Sequence, residues 1–445
     1  MTTSTRSDTR QALGFWMCTA LVVGNMIGSG IFLLPSSLAA FGPISMAGWV
    51  LTAGGAIVLA LVFGRLARLS SGTGGPYAYA REGFGDFAGF LIAWGYWIAL
   101  WSGNAAVAVA FAGYLSVMIP AVGQSALAGL AAALGSMWLL TWINVRGVRE
   151  AGIIQVVTTV MKLAPLLVLI VLGFAYVDSA NFRPANVSEM SNISAISACA
   201  ALTLWAFVGL ESATVPAGDV KDPKRTIPRA TILGTCVAAA VYIATTYVAL
   251  GVVPAVKLAG SNAPLSDVAS VMWGFGGAVF IAVGACISTF GTLNGFVLLT
   301  GQVPLGAALD GLFPAQFARL SRTGTPAFGL IVSSLLASAL IAMNYTRSLA
   351  EQFEFIVLLA TLSTLIPYLL CALAEVMIRV RRGESVRLSP ATVVLAVLGF
   401  AYSLWAIYGA GEDVVFWGVL LLLAGLPIHV WLRWQSTKVE SKEKS

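Results

Sequence analysis

Apolar stretches long enough to cross a bilayer recur from end to end of this chain. Spanning the hydrocarbon core takes about 20 apolar residues in a helix. Twelve stretches meet that length: 12–38, 44–66, 84–118, 124–144, 150–177, 195–217, 229–253, 271–306, 326–344, 353–378, 388–409 and 412–432. Inside lipid every backbone N–H and C=O must find a partner within the protein, so spans of this length fold as helices. Of the 445 residues only 10% are charged, against about 25% in soluble proteins. No soluble domain fits between the stretches. The first lacks a small-residue cleavage site and reads as retained. The expectation is an all-α integral membrane protein with twelve transmembrane helices.

Charge placement orients it. With the N-terminus inside, the cytoplasmic segments hold all but four of the 25 basic residues, among them Arg6, Arg10, Arg65, Arg68, Arg81, Arg146, Arg149, Lys221, Lys224, Arg225, Arg229, Arg379, Arg381, Arg382, Arg387 and Lys444. The opposite side holds Arg183, Lys257 and Arg347, and Lys162 falls inside a span. The positive-inside rule then puts both termini in the cytoplasm. The basic residues form short loop clusters and no continuous face, which excludes nucleic acid as a partner. Cys18, Cys199, Cys236, Cys286 and Cys371 lie in apolar spans without metal-type spacing and read as small buried hydrophobes. No phosphate loop, nucleotide-binding glycine pattern or zinc motif is present, so neither a cofactor nor a metal is expected.

Two spans carry the marks of a break. Residues 24–32 read Gly24-Asn25-Met26-Ile27-Gly28-Ser29-Gly30-Ile31-Phe32. Each glycine weakens a helix by about 1 kcal/mol relative to alanine, and a helix opened at mid-membrane must turn its freed backbone toward protein or a polar cavity. That exposes donors beside acceptors, a match for a molecule carrying both a carboxylate and an ammonium. Close helix packing is the other reading of Gly28 and Gly30. The sixth span repeats the pattern with Gly209 and Glu211 in Trp205-Ala-Phe-Val-Gly-Leu-Glu211. Five spans separate corresponding elements, and an odd count inverts the second copy. The chain is therefore read as one transmembrane domain, 1–445. It comprises repeat one (12–177), repeat two (195–378), two additional C-terminal helices (388–432) and a cytoplasmic tail (433–445). This is a five-plus-five inverted repeat with discontinuous helices 1 and 6. Turn-rich segments 70–81 and 219–229 face inside, and loops 178–194 and 254–270 face outside.

With these residues in view, the chain resembles the amino acid–polyamine–organocation superfamily, nearest its basic amino acid/polyamine antiporters of the arginine/agmatine-exchanging kind. The likeness is densest in Gly24–Pro35, Gly74–Phe87, Tyr96–Asn104, Trp205–Arg225 and Asp310–Pro326. The resemblance implies that Ser29 and Gly30 hold a substrate carboxylate, with Asn25 beside them. It implies that Met26, Trp205 and Val208 offer carbonyls to the ammonium, and that Trp205 gates the site. Half-helix dipoles agree in sign. It also implies a gate and pH-linked element at Glu211 with Tyr96 and Tyr368, and it allows a homodimer.

Other side chains tune the substrate. A mid-span charge usually lines a polar pathway, so Glu211 reads as a proton carrier or a counter-charge to a cation, or as a structural hydrogen bond between helices. Lys162 departs from close relatives that exchange arginine or polyamines. Other members of the superfamily place a lysine there to stand in for a sodium ion between spans one and eight, and it could also cycle a proton; snorkelling to the interface is the alternative. Aromatic faces at Trp205, Phe296, Tyr96, Trp101 and Tyr368 suit a guanidinium or ammonium, or plain packing. Phe296 stands where the arginine exchanger has tryptophan, and Ala360 replaces a serine; both make the pocket more apolar. Asn104 remains to bond a distal amine. His429 reads as packing. Trp405, Trp417 and Trp431 fit an aromatic belt or a helix interface. The expected function is secondary transport: exchange of basic amino acids or their decarboxylated amines, or alternatively proton-coupled uptake of neutral amino acids. An enzyme would need a nucleophile–base pair or metal cluster at depth, and a channel a pore lined by like groups.

Overall fold

The structure, a computed structural model, describes residues 14–69, 75–146, 161–214, 220–383 and 389–443. Arg6, Arg10, Ser70–Gly74, Arg149, residues 150–160 of the fifth expected span, Asp219, Arg387 and Lys444 lie outside them. The first span is two helices, α1 (Phe15–Met26) and α2 (Ser29–Ala39). Then come α3 (Ser45–Leu69), α4 (Pro76–Phe84), α5 (Asp86–Met118), α6 (Ala126–Arg146), α7 (Leu163–Gly173) and α8 (Asn192–Leu204). The remainder is α9 (Pro223–Val252), α10 (Pro264–Leu309), α11 (Ala327–Asn344), α12 (Leu349–Arg381), α13 (Pro390–Gly409), α14 (Glu412–Leu423) and α15 (Leu426–Glu443). Among the described residues ten helical segments are long and apolar enough to cross a membrane, and Leu163–Tyr176 and Ala327–Met343 are shorter apolar helices.

Several boundaries differ from the sequence expectation. Residues 76–81 and 223–228, read as turn-rich inner segments, belong to α4 and α9, and 264–270, read as an outer loop, already belong to α10. Proline opens each helix, where its missing N–H costs no bond. Gly274 interrupts α10 with φ 71°, so the long stretch expected from residue 271 starts properly after that kink. The expected tail 433–445 continues α15 as helix through Glu443.

The helices pack in two groups. α3 lies against α8 and α9, and α9 also against α1. α5 lies against α10 and α12, with α6 and α11 outside them. α2 touches both groups through α9, α10 and α12. The ends are set locally. Ser348 and Glu351 form a reciprocal capping box that starts α12, satisfying two orphan N–H groups at once. Ser191 and Ser389 cap α8 and α13 alone.

Candidate functional site

The first break leaves identifiable backbone groups behind. In a continuous helix the Gly28 N–H would bond to the Gly24 carbonyl; here it bonds to Met26 at 2.9 Å. The Lys162 ammonium donates to that Gly24 carbonyl instead. Lys162 is 2% exposed, which rules out snorkelling. It stands just before α7, at the end of the described part of its span. On the other side of the break, Gly28 caps α2 with no side-chain hydrogen bond. The first N–H groups of α2, those of Ser29 and Gly30 among them, therefore face the break with the positive end of a helix dipole.

The second break is built as α8, a 3-10 turn at Trp205–Phe207, an irregular stretch, and a second 3-10 turn at Ser212–Thr214. Gly209 turns the chain at φ 106°, a region side chains avoid. The freed Ala206 carbonyl accepts the Tyr242 hydroxyl at 2.8 Å. Tyr242 stacks on Trp49 at 5.2 Å and meets Phe207 edge-on at 5.5 Å, so an aromatic cluster backs the turn.

The breaks are joined to each other. The Asn25 amide donates to Ser212 Oγ at 2.8 Å, and the Trp205 indole N–H reaches Ser29 Oγ at 3.3 Å. A Cβ on Gly30 would stand 3.3 Å from the Ala206 Cβ, and one on Gly28 would lie 2.8 Å from Thr292 Cγ2 on α10. The glycines thus both open the helix and allow close packing, and the two sequence readings describe one arrangement. The Trp205 ring lies across Gly103, where a Cβ would meet it at 2.7 Å, and sits 6.0 Å from the Phe296 ring. Asn104, the next residue on α5, is fully buried with neither amide atom partnered among the described residues. The hydroxyls of Thr292 and of Thr361, adjacent to buried Ala360, are also unpartnered.

Glu211 is fully buried beside this assembly. Its carboxylate accepts the Tyr96 hydroxyl at 2.8 Å, the Tyr368 hydroxyl at 2.6 Å and the Gly209 N–H at 3.2 Å. One side chain thereby links α5, α12 and the second break.

Other expected residues fall differently. The Met26 and Trp205 carbonyls already accept the Gly28 and Val208 N–H groups, leaving each one further lone pair. The described hydrogen bond of Lys162 reaches span one and none to span eight. Trp101 lines a separate cavity of about 580 Å³ with Leu340, Phe355, Asp413 and Trp417. Of the cysteines, Cys236 is exposed, contrary to the buried reading. His429 packs on the Phe87 and Phe90 rings. Among the described residues no group of His, Cys, Asp and Glu gathers that could hold a metal ion. Sequence reasoning missed Ser212, Tyr242 and Thr292, whose residue types carry no signal inside an apolar span, and Gly103, a single glycine without the clustering that marks the first break.

A sequence profile of the amino acid permease family matches residues 13–423. The chain belongs to that family. As a permease it is a multi-pass membrane transporter and not an enzyme. It is 35% identical to a Bacillus subtilis protein provisionally named an arginine/ornithine antiporter, over 94% of this chain and 96% of the relative. The cadaverine/lysine antiporter of Escherichia coli is 35% identical over 90% of each chain, and the putrescine transporter of the same organism 33% identical over 94% and 95%.

Proposed function

We propose that this permease exchanges basic amino acids, or the amines left by their decarboxylation, by alternating access. The observation that carries the reading is the uncapped N-terminus of α2 at Ser29–Gly30, packed directly against the Trp205 turn. The substrate carboxylate lies on those N–H groups and on Ser29 Oγ. The ammonium lies on the free lone pairs of the Met26 and Trp205 carbonyls and on the Val208 carbonyl, with Asn25 holding the two breaks in register. The distal cation lies against the Trp205 face and Asn104, lined by Phe296 and Ala360. Glu211, with Tyr96 and Tyr368, gates the site and answers to pH. Relatives named for lysine, cadaverine and putrescine, all cations, support this substrate class.

The architecture in this proposal is twelve spans in two inverted five-helix repeats, 12–177 and 195–378, with 388–432 added. Two broken helices in corresponding places, touching each other, support it. Both termini face the cytoplasm of a bacterial inner membrane, and the family resemblance allows a homodimer.

Counterflow in proteoliposomes tests the substrate. Vesicles are loaded with unlabelled arginine, lysine, cadaverine or leucine, and entry of labelled arginine or lysine is followed without a pH gradient. Entry only into vesicles holding a cationic partner is the expected result. Leucine exchange, or proton-driven leucine entry with no cation exchange, would instead favour proton-coupled uptake of neutral amino acids. Buried Lys162 on the Gly24 carbonyl, with apolar Phe296 and Ala360, is the observation behind that second reading.

A further inference from the structure

A small cavity of about 200 Å³ lies where α3 and α12 end, lined by Arg65, Arg68, Leu69, Glu375 and Arg379. Glu375, 5% exposed at its side chain, accepts Arg65 Nε at 2.7 Å and Arg65 Nη2 at 2.9 Å, and also Arg379 Nε at 3.0 Å. Arg65 Nη2 reaches the Thr392 hydroxyl as well. This clamp fixes the Arg65 guanidinium plane and leaves its Nη1 donors without an acceptor among the described residues. Arg68, on the rim, spends its Nε on the Lys224 carbonyl at 3.2 Å, and its two terminal nitrogens are likewise unspent among the described residues.

An arginine keeps its charge at any physiological pH, and its fork of donors matches the oxygens of a phosphate. The capped start of α13, where Ser389 accepts the Thr392 N–H, adds the positive end of a helix dipole. The C-terminal ends of α3 and α12 offset only part of this charge. α3 is described as far as Leu69 and α12 ends at Arg381, so the cavity stands at the level where spans meet headgroups, with Leu69 as its apolar wall. Basic pockets between spans at that level suit anionic lipid headgroups.

We propose that this cavity binds the phosphate of an anionic phospholipid, with Arg65 and Arg68 as its ligands. The site is independent of the transported substrate.

The full-length protein, purified in a non-ionic detergent, is titrated with phosphatidylglycerol, with phosphatidylcholine of the same chains, or with inorganic phosphate. Retained lipid is read by native mass spectrometry. Preferential retention of phosphatidylglycerol is expected, with roughly five-fold weaker binding in Arg68→Gln, given the worth of one basic residue near a lipid surface. Arg68→Lys keeps most of the preference, and Arg322→Gln, in a loop away from the cavity, keeps all of it. Arg68 is exposed, so the variants fold, which a melting curve verifies. Equal retention of phosphatidylglycerol by the wild type and Arg68→Gln overturns the proposal. Displacement of that lipid by millimolar inorganic phosphate overturns the lipid assignment in favour of a free anion.

Discussion

Lys162 donates to the carbonyl of Gly24, the group that the turn at Gly28 deprives of its helical partner. The lysine is therefore part of how the first span stays broken. Removing it leaves a carbonyl in apolar surroundings with nothing to bond. Such an orphan costs about 1–3 kcal/mol. Lys162→Met, which keeps the apolar stem, is expected to lower thermal stability by that order and to impair exchange. An unchanged melting temperature would mean that the Gly24 carbonyl finds another donor.

The same residue separates the two transport readings. If Lys162 carries a proton, Lys162→Ala transports without pH dependence. If it only satisfies the break, the variant is weakened at every pH by a similar factor. Uptake measured from mildly acid to neutral pH distinguishes a flattened profile from a scaled one.

Glu211 holds two tyrosines by one hydrogen bond each. Glu211→Gln keeps the shape but offers a single acceptor oxygen and adds two donors, so one hydroxyl must accept from the amide instead of donating to a carboxylate. The expected outcome is exchange whose rate no longer changes between mildly acid and neutral pH, with the fold retained. Tyr368→Phe removes only one bond and should keep a pH response. A wild-type pH profile in Glu211→Gln would take the pH response away from this carboxyl.

Gly103 sets how close Trp205 lies to α5. A Cβ there would stand 2.7 Å from the indole edge, so Gly103→Ala must push the ring out of place. Cation–π attraction to a desolvated tryptophan is worth about 2 kcal/mol, which corresponds to roughly thirty-fold in affinity. Gly103→Ala and Trp205→Leu should both weaken binding of arginine or lysine by up to that factor. Isothermal titration of the purified protein measures it. Equal binding of arginine by all three proteins would remove the aromatic face from the site.

The breaks were legible because they violate a local rule. Three glycines within Gly24–Gly30 and a charge at Glu211 are poor choices for a plain membrane helix, and a sequence can show that. The partners of the breaks were not legible by the same logic. Tyr96 and Tyr368 lie 115 and 157 residues from Glu211, and only the family resemblance tied them to it. Tyr242 and Ser212 are ordinary residues of apolar spans, and what makes them matter is the single carbonyl or amide each one meets. The direction of Trp101 was hidden for another reason. α5 is buried on nearly all sides, so no polar face marks which way a residue points. Helix starts at Pro76 and Pro264 were misread as loop because proline signals a turn and a first helical position equally well.

Asn104 connects stability to function most directly. It is fully buried, and neither its amide nitrogen nor its oxygen has a partner among the described residues. A buried polar group in that condition destabilises the fold that contains it, and an apolar residue of similar volume removes the penalty. Asn104→Leu should therefore raise the melting temperature of the substrate-free protein, or at least leave it unchanged. The same substitution should weaken substrates that carry a distal amine or guanidinium. For a hydrogen bond to a charged group the loss is about 1.5–3 kcal/mol, roughly ten-fold to a hundred-fold in affinity. A neutral amino acid of similar length would lose nothing. The decisive comparison pairs melting curves with competition by arginine, lysine and leucine on the variant and the wild type. Higher stability with selectively weaker binding of the cations would place the distal end of the substrate at Asn104. Lower stability, with all three ligands affected alike, would make Asn104 a structural residue instead.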